Sequence, residues 1–474
     1  MEAEIETTNI RSTFFKNKMF MQQIEKIKKA SDEAKKSVDY DSAHDDEILR
    51  AIDVIENFLR KKHRLCYGGQ AVNAHLPTKY KFYDPEYSIP DYDFFTPNQV
   101  LDVNTIMKDL TKAGFSEIYR REGIHEGTIK IYVNFIPVAD ITEMDPKLYK
   151  LLSKREFKTD GISYLDANAL RMLMYLELSR PRGDVSRWLK VFERLSLFNE
   201  FVSFKPCKIS YDTIHGGLNP EQLHYTIDYI IKNKYIFAGA DLLEFYNKSL
   251  YSKKLNNKWI FNTTKPILFF SSNIENDAKI LSAEFNNLNK NSTPITVKYY
   301  SSNVVDMVPN IQVISQGKKH LVFIIEQSAC HSYFNIPINK FTNVKIASMD
   351  TLITLYFSLG IIESKFFNIG SMECLANKLV EISSKSRTMN TPLPFISIKC
   401  IGYQPSFPSL IREKIKRTKY IKNATVKANM KAPMKAPMKG LIGKVNGKVI
   451  GKVNGKVNGN GKVRKTVKNQ RRLK

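Results

Sequence analysis

Three aspartates and a glycine pair are the residues of this chain whose types and spacing could do chemistry. Gly68-Gly69 follows the apolar triplet Leu65-Cys66-Tyr67. Asp91-Tyr92-Asp93 runs into Phe94-Phe95. Asp140 closes the run Phe135-Ile136-Pro137-Val138-Ala139. In a strand, residues i and i+2 share a face, so Asp91 and Asp93 project together and Tyr92 turns into the opposite layer. A neighbouring strand ending in Asp140 would bring a third carboxylate to that face. Three carboxylates share a small site as anions only with a cation between them. Hard oxygen donors suit Mg²⁺ or Mn²⁺. Two such ions about 3.5–4 Å apart can clamp a triphosphate and activate a hydroxyl for in-line attack. A Gly-Gly turn entering a helix lets backbone N–H groups approach phosphate oxygens. The chain holds its own control. Asp39-Tyr40-Asp41 is the same tripeptide without a glycine pair or an apolar strand, and reads as a solvated loop.

The elements that must position these residues are legible in part. Ile48, Ile52, Ile55 and Leu59 recur at helical spacing behind the start signals Ser42 and Asp45, and the helix should end near Lys62. Leu65–Tyr67 reads as a short strand into the glycines, and Asp91–Phe95 as a second. Leu101–Ala113 reads as a helix, Gly127–Val133 and Phe135–Thr142 as strands, and Asp166–Ser179 as a long helix carrying Leu170, Leu173, Met174 and Leu178. This alternation predicts an α/β or α+β unit.

The second half repeats the plan in the same order. Phe237-Ala238-Gly239-Ala240 echoes Tyr67 to Ala71. Lys265 to Asn273 echoes Ile89 to Asn98 with one residue deleted. Ala347-Ser348-Met349-Asp350 and the apolar run after it echo Ser163 to Asp166 and their helix. A diverged tandem duplication is the expectation. On that alignment Ile267 and Leu268 stand where the first copy has acids, so the second copy lacks the chemistry.

At 474 residues the chain has room for two to four domains at roughly 100–200 residues each. With 43% hydrophobic and 11% aromatic residues it can bury a core, which excludes a wholly disordered protein. No apolar run approaches a membrane span, which needs about 20 residues, and the acidic, polar start is not a secretory signal. The net charge of +26 is unevenly placed: residues 411–474 hold 21 Lys/Arg and one acid, whereas the other 410 carry only a net +6. The tail repeats Met-Lys-Ala-Pro and then Gly-Lys-Val-Asn units, and from about residue 425 it reads as disordered. A polycation of this kind points to nucleic acid or another polyanion. Cys66, Cys207, Cys330, Cys374 and Cys400 form an odd, unpatterned set, which predicts a reducing compartment and no structural zinc. His63, His75 and His125 match no metal spacing. Trp188 reads as core and Cys66 as a buried strand thiol, with no base placed to activate it. Some of the 23 tyrosines could stack on RNA bases.

The stretches Tyr67-Gly68-Gly69-Gln70-Ala71-Val72-Asn73, Pro90-Asp91-Tyr92-Asp93-Phe94-Phe95 and Val138-Ala139-Asp140-Ile141 resemble the nucleotidyltransferase superfamily with the polymerase-β-like fold. More closely, they resemble the poly(A) polymerase catalytic subunits of poxviruses and related large DNA viruses. Gly161–Leu195, with Arg171, the Arg180–Asp184 turn and Trp188, is similar to the helix that closes such sites. The resemblance covers roughly residues 45–400. It implies an N-terminal segment (1–44), a catalytic nucleotidyltransferase domain (45–200), a degenerate nucleotidyltransferase-like domain (201–410) and a basic tail (411–474). It further implies two metal ions on Asp91 and Asp93, with Asp140 binding the catalytic ion and assisting deprotonation of an RNA 3′-hydroxyl. Gly68 and Gly69 would line the ATP phosphates, with Arg171 as a further phosphate contact. The implied activity adds AMP from ATP to mRNA 3′ ends and releases pyrophosphate, in the virion and host cytoplasm, with a processivity partner or a second copy. Two features depart from the superfamily pattern. An insertion at about Leu76–Ser88 must loop out, and Gly69 stands where many members have Ser. Another nucleotidyltransferase, acting on tRNA ends, small molecules or proteins, is the alternative within enzymes. A non-catalytic RNA-binding subunit is the alternative outside them, opposed by the intact acids.

Overall fold

The computed structural model describes residues 18–204, 206–207, 217–252, 260–261, 265–289, 293–302, 307–362, 367–389 and 391–418. The sequence-predicted tail therefore lies almost wholly outside the described residues. The described residues form one compact unit. It is an α/β unit of two mixed sheets, each covered by helices. No described helix is long and apolar enough to cross a membrane.

The first sheet has seven strands: β1 (Leu65–Tyr67), β2 (Tyr92–Thr96), β3 (Ile118–Glu122), β4 (Thr128–Val133), β5 (Ile136–Glu143), β6 (Phe157–Thr159) and β7 (Ile162–Tyr164), in the order β3-β4-β5-β2-β1-β7-β6. Its entry helix, Asp46–Lys62, is capped by Asp45, whose carboxylate accepts from the N–H groups of Glu47 and Ile48. The predicted stripe of Ile48, Ile52, Ile55 and Leu59 is buried there. A further helix, Lys18–Ala43, precedes it. Asp39-Tyr40-Asp41 lies in that helix and not in a loop; Tyr40 and Asp41 still face solvent.

The second sheet holds β8 (Ile236–Phe237), β9 (Ile267–Ser271), β10 (Ile295–Tyr300), β11 (Ile311–Gln316), β12 (Lys319–Glu326), β13 (His331–Pro337), β14 (Asn343–Ala347) and β15 (Cys400–Ile401). Its order, β10-β11-β12-β9-β8-β14-β13-β15, repeats the first sheet strand for strand and adds β15 at one edge. The pairings repeat too. β1–β2 and β8–β9 are antiparallel, while β2–β5, β9–β12, β1–β7 and β8–β14 are parallel. So does a corner: Thr96 Oγ1 donates to Asp102 and accepts from Asn98 N, and Ser271 Oγ stands in the same relation to Asp277 and Asn273 N.

This corner fixes the alignment of the two copies more firmly than the sequence echo does. With Thr96 matched to Ser271, Asp93 corresponds to Leu268 and Asp91 to Pro266, one residue earlier than the Ile267 expected. Asp140, opposite Asp93, corresponds to Phe323, opposite Leu268. The corresponding helices of the two halves, Ala167–Leu178 and Met349–Ile361, pack on each other; every residue of the second is buried, and Ser358 Oγ lies 3.4 Å from Met172 Sδ.

The cysteines depart from expectation. Cys207 is bonded to Cys374 and Cys330 to Cys400, across 167 and 70 residues. Such separations leave no spacing signal, because the fold alone brings the partners together. Cys66 is buried and free, as read.

Candidate active site

β1, β2 and β5 assemble the site. Tyr67 pairs with Asp93 across the antiparallel β1–β2 ladder, and Asp93 pairs with Asp140 across the parallel β2–β5 ladder. Asp91 immediately precedes β2. Tyr92 turns to the opposite layer, where it is buried and its hydroxyl donates to Glu56 Oε1 at 2.7 Å. Tyr67 stacks on Phe95 at 4.0 Å, and its hydroxyl lies 2.8 Å from Thr142 Oγ1. These contacts fix the strands beneath the carboxylates.

β1 ends where the helix Gly68–His75 begins. Gly68 has φ +73°, a left-handed conformation that favours glycine. A Cβ there would collide with the Asp93 carboxylate. Position 68 therefore needs glycine twice over, for its backbone and for the close approach of Asp93. Gly69 is buried beneath Tyr83 and Arg194.

The electrostatics are those of crowded acids. Burial, then the charges of Asp91 and Asp140, push the Asp93 carboxyl up to about 7. Asp91 keeps an edge exposed to solvent but is also raised, by the protein packed around it and by Asp140. Lys130 on β4 forms an ion pair with Asp140 Oδ2. Asp140 Oδ1 is buried without a hydrogen-bond partner. Among the described residues no group of three or more His, Cys, Asp or Glu side chains is gathered closely enough to hold an ion. The donor type, carboxylate oxygen, is nonetheless one that suits a hard cation. Mutual repulsion of the acids and an orphaned carboxylate oxygen are both costs that a divalent ion removes.

Arg171 does not join these residues. It is fully buried within the helix Ala167–Leu178. Its Nε donates to Asn199 Oδ1 at 2.9 Å, Nη1 to Asn168 Oδ1 at 3.3 Å, and Nη2 to the Val202 carbonyl. The guanidinium lies 4.0 Å from the Phe204 ring centre and 5.0 Å from that of Phe198. It is neither a phosphate contact nor a solvent-facing arginine, since its fork is spent inside the protein.

The cations that do face the acids are not among the residues the sequence singles out. Lys130 is one. Arg187 and Lys190 are the others, and Arg194 lies beside Gly69 on the same segment, at spacings of three and four residues, which continues into the helix Trp188–Phe201. Arg194 and Arg187 lower the Lys190 ammonium, against the pull of Asp91 and Asp93. Three cations on one helical face are a signal that sequence reasoning could have used. Trp188 is half-buried and not in the core, since Val185 and Leu189 beside it face solvent; its Nε1 donates to the Glu177 carbonyl, and His75 Nε2 pairs with the Leu165 carbonyl. The insertion Leu76–Ser88 is tied back and not looped free, because Asn73 Oδ1 accepts from Phe82 N and Tyr83 N at 2.9 and 3.3 Å.

Residues 53–184 match the model of the family described as Poly(A) polymerase catalytic subunit. The three aspartates and both glycines fall inside that stretch. The chain is 30% identical over 173 residues to a putative poly(A) polymerase catalytic subunit of African swine fever virus, covering 35% of this chain and 36% of that protein. It is 27% identical over 217 residues to one from Acanthamoeba polyphaga mimivirus, covering 43% of this chain and 36% of that protein. The aligned part thus spans about a third of these relatives, which are proteins of large DNA viruses. The crystal structure of the Megavirus polyadenylate synthase superposes with a TM-score of 0.65 at 18% identity, over 85% of this chain and 84% of that one. At that identity the likeness concerns the fold, and it extends through both sheets.

Proposed function

We propose that the chain is a template-independent polynucleotide adenylyltransferase, which joins AMP from ATP to an RNA 3′ end and releases pyrophosphate. The observation that carries this reading is the register that sets Asp93 beside Asp140, with Asp91 two residues before Asp93 and the Gly68-Gly69 turn against the Asp93 carboxylate. Residues 45–200 form the catalytic domain in this reading, and 201–410 an acid-free copy. Asp91, Asp93 and Asp140 would hold two Mg²⁺ or Mn²⁺ ions, which supply Lewis-acid stabilisation of the charge that develops on the transferred phosphate. Asp140 would also assist deprotonation of the RNA 3′-hydroxyl. Gly68 and Gly69 admit the phosphates close to the backbone. Lys190 and Arg187 offset the charge of the triphosphate. The basic tail gives RNA a sequence-independent hold, and a partner subunit or a second copy would supply processivity.

The test is extension of a labelled oligo(A) primer with Mg²⁺ or Mn²⁺ and each nucleoside triphosphate separately. ATP-selective extension is the expected result. Extension with CTP and ATP in a fixed short pattern would instead indicate a tRNA-end enzyme, and no extension with any nucleotide would refute the proposal.

A further inference from the structure

Gly69 is the one residue of the glycine pair without a left-handed backbone, so its lack of a side chain has another cause. A Cβ there would run into the Tyr83 hydroxyl, and into Arg194 Nη1 at 2.7 Å. Both groups come from outside the strand-and-glycine motif. Tyr83 lies in the insertion between the glycines and Asp91, and Arg194 lies on the helix Trp188–Phe201.

The two are coupled and anchored. Arg194 Nη2 donates to Tyr83 Oη at 2.8 Å, and its guanidinium sits 4.8 and 5.4 Å from the ring centres of Phe82 and Tyr83. Asn73, on the glycine-led helix itself, holds the Phe82 and Tyr83 amides, so the insertion moves with the glycines. A tyrosine hydroxyl that accepts from arginine still has its own proton to donate. Arg194 also crowds Lys190, one turn earlier, and an anion between them relieves that repulsion.

We propose that Tyr83 and Arg194 together bind the terminal phosphates of the incoming nucleoside triphosphate, the hydroxyl standing where a side chain at position 69 would otherwise reach. The insertion thus brings a phosphate ligand to the site. This rests on the reading of the site as a nucleotidyltransferase and adds two binding residues to it.

The experiment compares equilibrium binding of a non-hydrolysable ATP analogue and of AMP, with Mg²⁺, to the full chain and to Tyr83→Phe and Arg194→Gln. Loss of one hydrogen bond to a charged phosphate should weaken analogue binding by about tenfold for Tyr83→Phe. Arg194→Gln should weaken it at least as much. AMP binding and the thermal midpoint of Tyr83→Phe should stay at wild-type values. Analogue binding by Tyr83→Phe within about twofold of wild type would overturn the inference, as would an equal loss for AMP. Primer extension by the unaltered chain separates the two ideas. A chain that extends primers while Tyr83→Phe binds normally refutes only the phosphate assignment. A chain that shows the binding split but extends nothing refutes only the polymerase reading.

Discussion

Asp93 binds its proton more tightly in the fold than in the unfolded chain, since its carboxyl is lifted from 3.8 to about 7. Its cost to stability is therefore absent below about pH 4, grows as pH rises to about 7 and is constant above. In EDTA, Asp93→Asn should raise the unfolding free energy at pH 8 by about 1–3 kcal/mol and leave it unchanged at pH 4. The same substitution should abolish primer extension. Urea unfolding at the two pH values checks the first point, and an equal effect at both would refute the assignment of the cost to ionisation. Mn²⁺ affinity, followed by the ion's paramagnetic signal, should fall as pH drops below 7, because the proton and the ion compete for one carboxylate.

Among the elements, the helix Ala167–Leu178 is held by Arg171 to the end of the helix Trp188–Phe201, through Asn199 and the Val202 carbonyl. Arg171→Ala removes a buried side chain and leaves three half-buried acceptors without their donor, and should cost about 3 kcal/mol of stability, with the KM for ATP unchanged. A raised KM at wild-type stability would return Arg171 to the phosphates. Position 268 gives the complementary case. Leu268→Asp restores an acid at the place of Asp93 but puts it opposite Phe323 in a dry sheet. It should cost about 3–5 kcal/mol and add no activity to a chain carrying Asp93→Asn. The same elements show what sequence can and cannot tell. The strand of Asp91–Phe95, the capped helix after Asp45 and the face shared by the acids follow from spacing alone, since alternation and capping are local. Arg171 escapes such reasoning because a helical period cannot tell an arginine packed on Phe198 and Phe204 from one in water. Tyr83 and Arg194 escape it because they are 111 residues apart in sequence and meet only through the insertion and a later helix. The cystine pairs are hidden for the same reason.

In the whole molecule, charge and chemistry are separated. The carboxylates sit in a nearly balanced body, while residues 411–474 carry a net +20. Removing residues 425–474 should flatten the dependence of RNA affinity on salt, by about 0.7 in log–log slope for each RNA phosphate that the tail neutralises, while extension of a saturating primer persists. An unchanged slope would make the tail irrelevant to RNA. The matching strand orders of the two sheets carry a hazard for the newborn chain, in which either half offers a docking edge of the same shape to the strands of the other. Sequence divergence guards against the exchange. β2 seated in place of β9 would thrust Asp93 against Phe323, whereas β9 seated in place of β2 would leave Leu268 beside Asp140 and Lys130. The difference between Asp93 and Leu268 thus makes each strand a poor substitute for the other in the sheet it does not belong to.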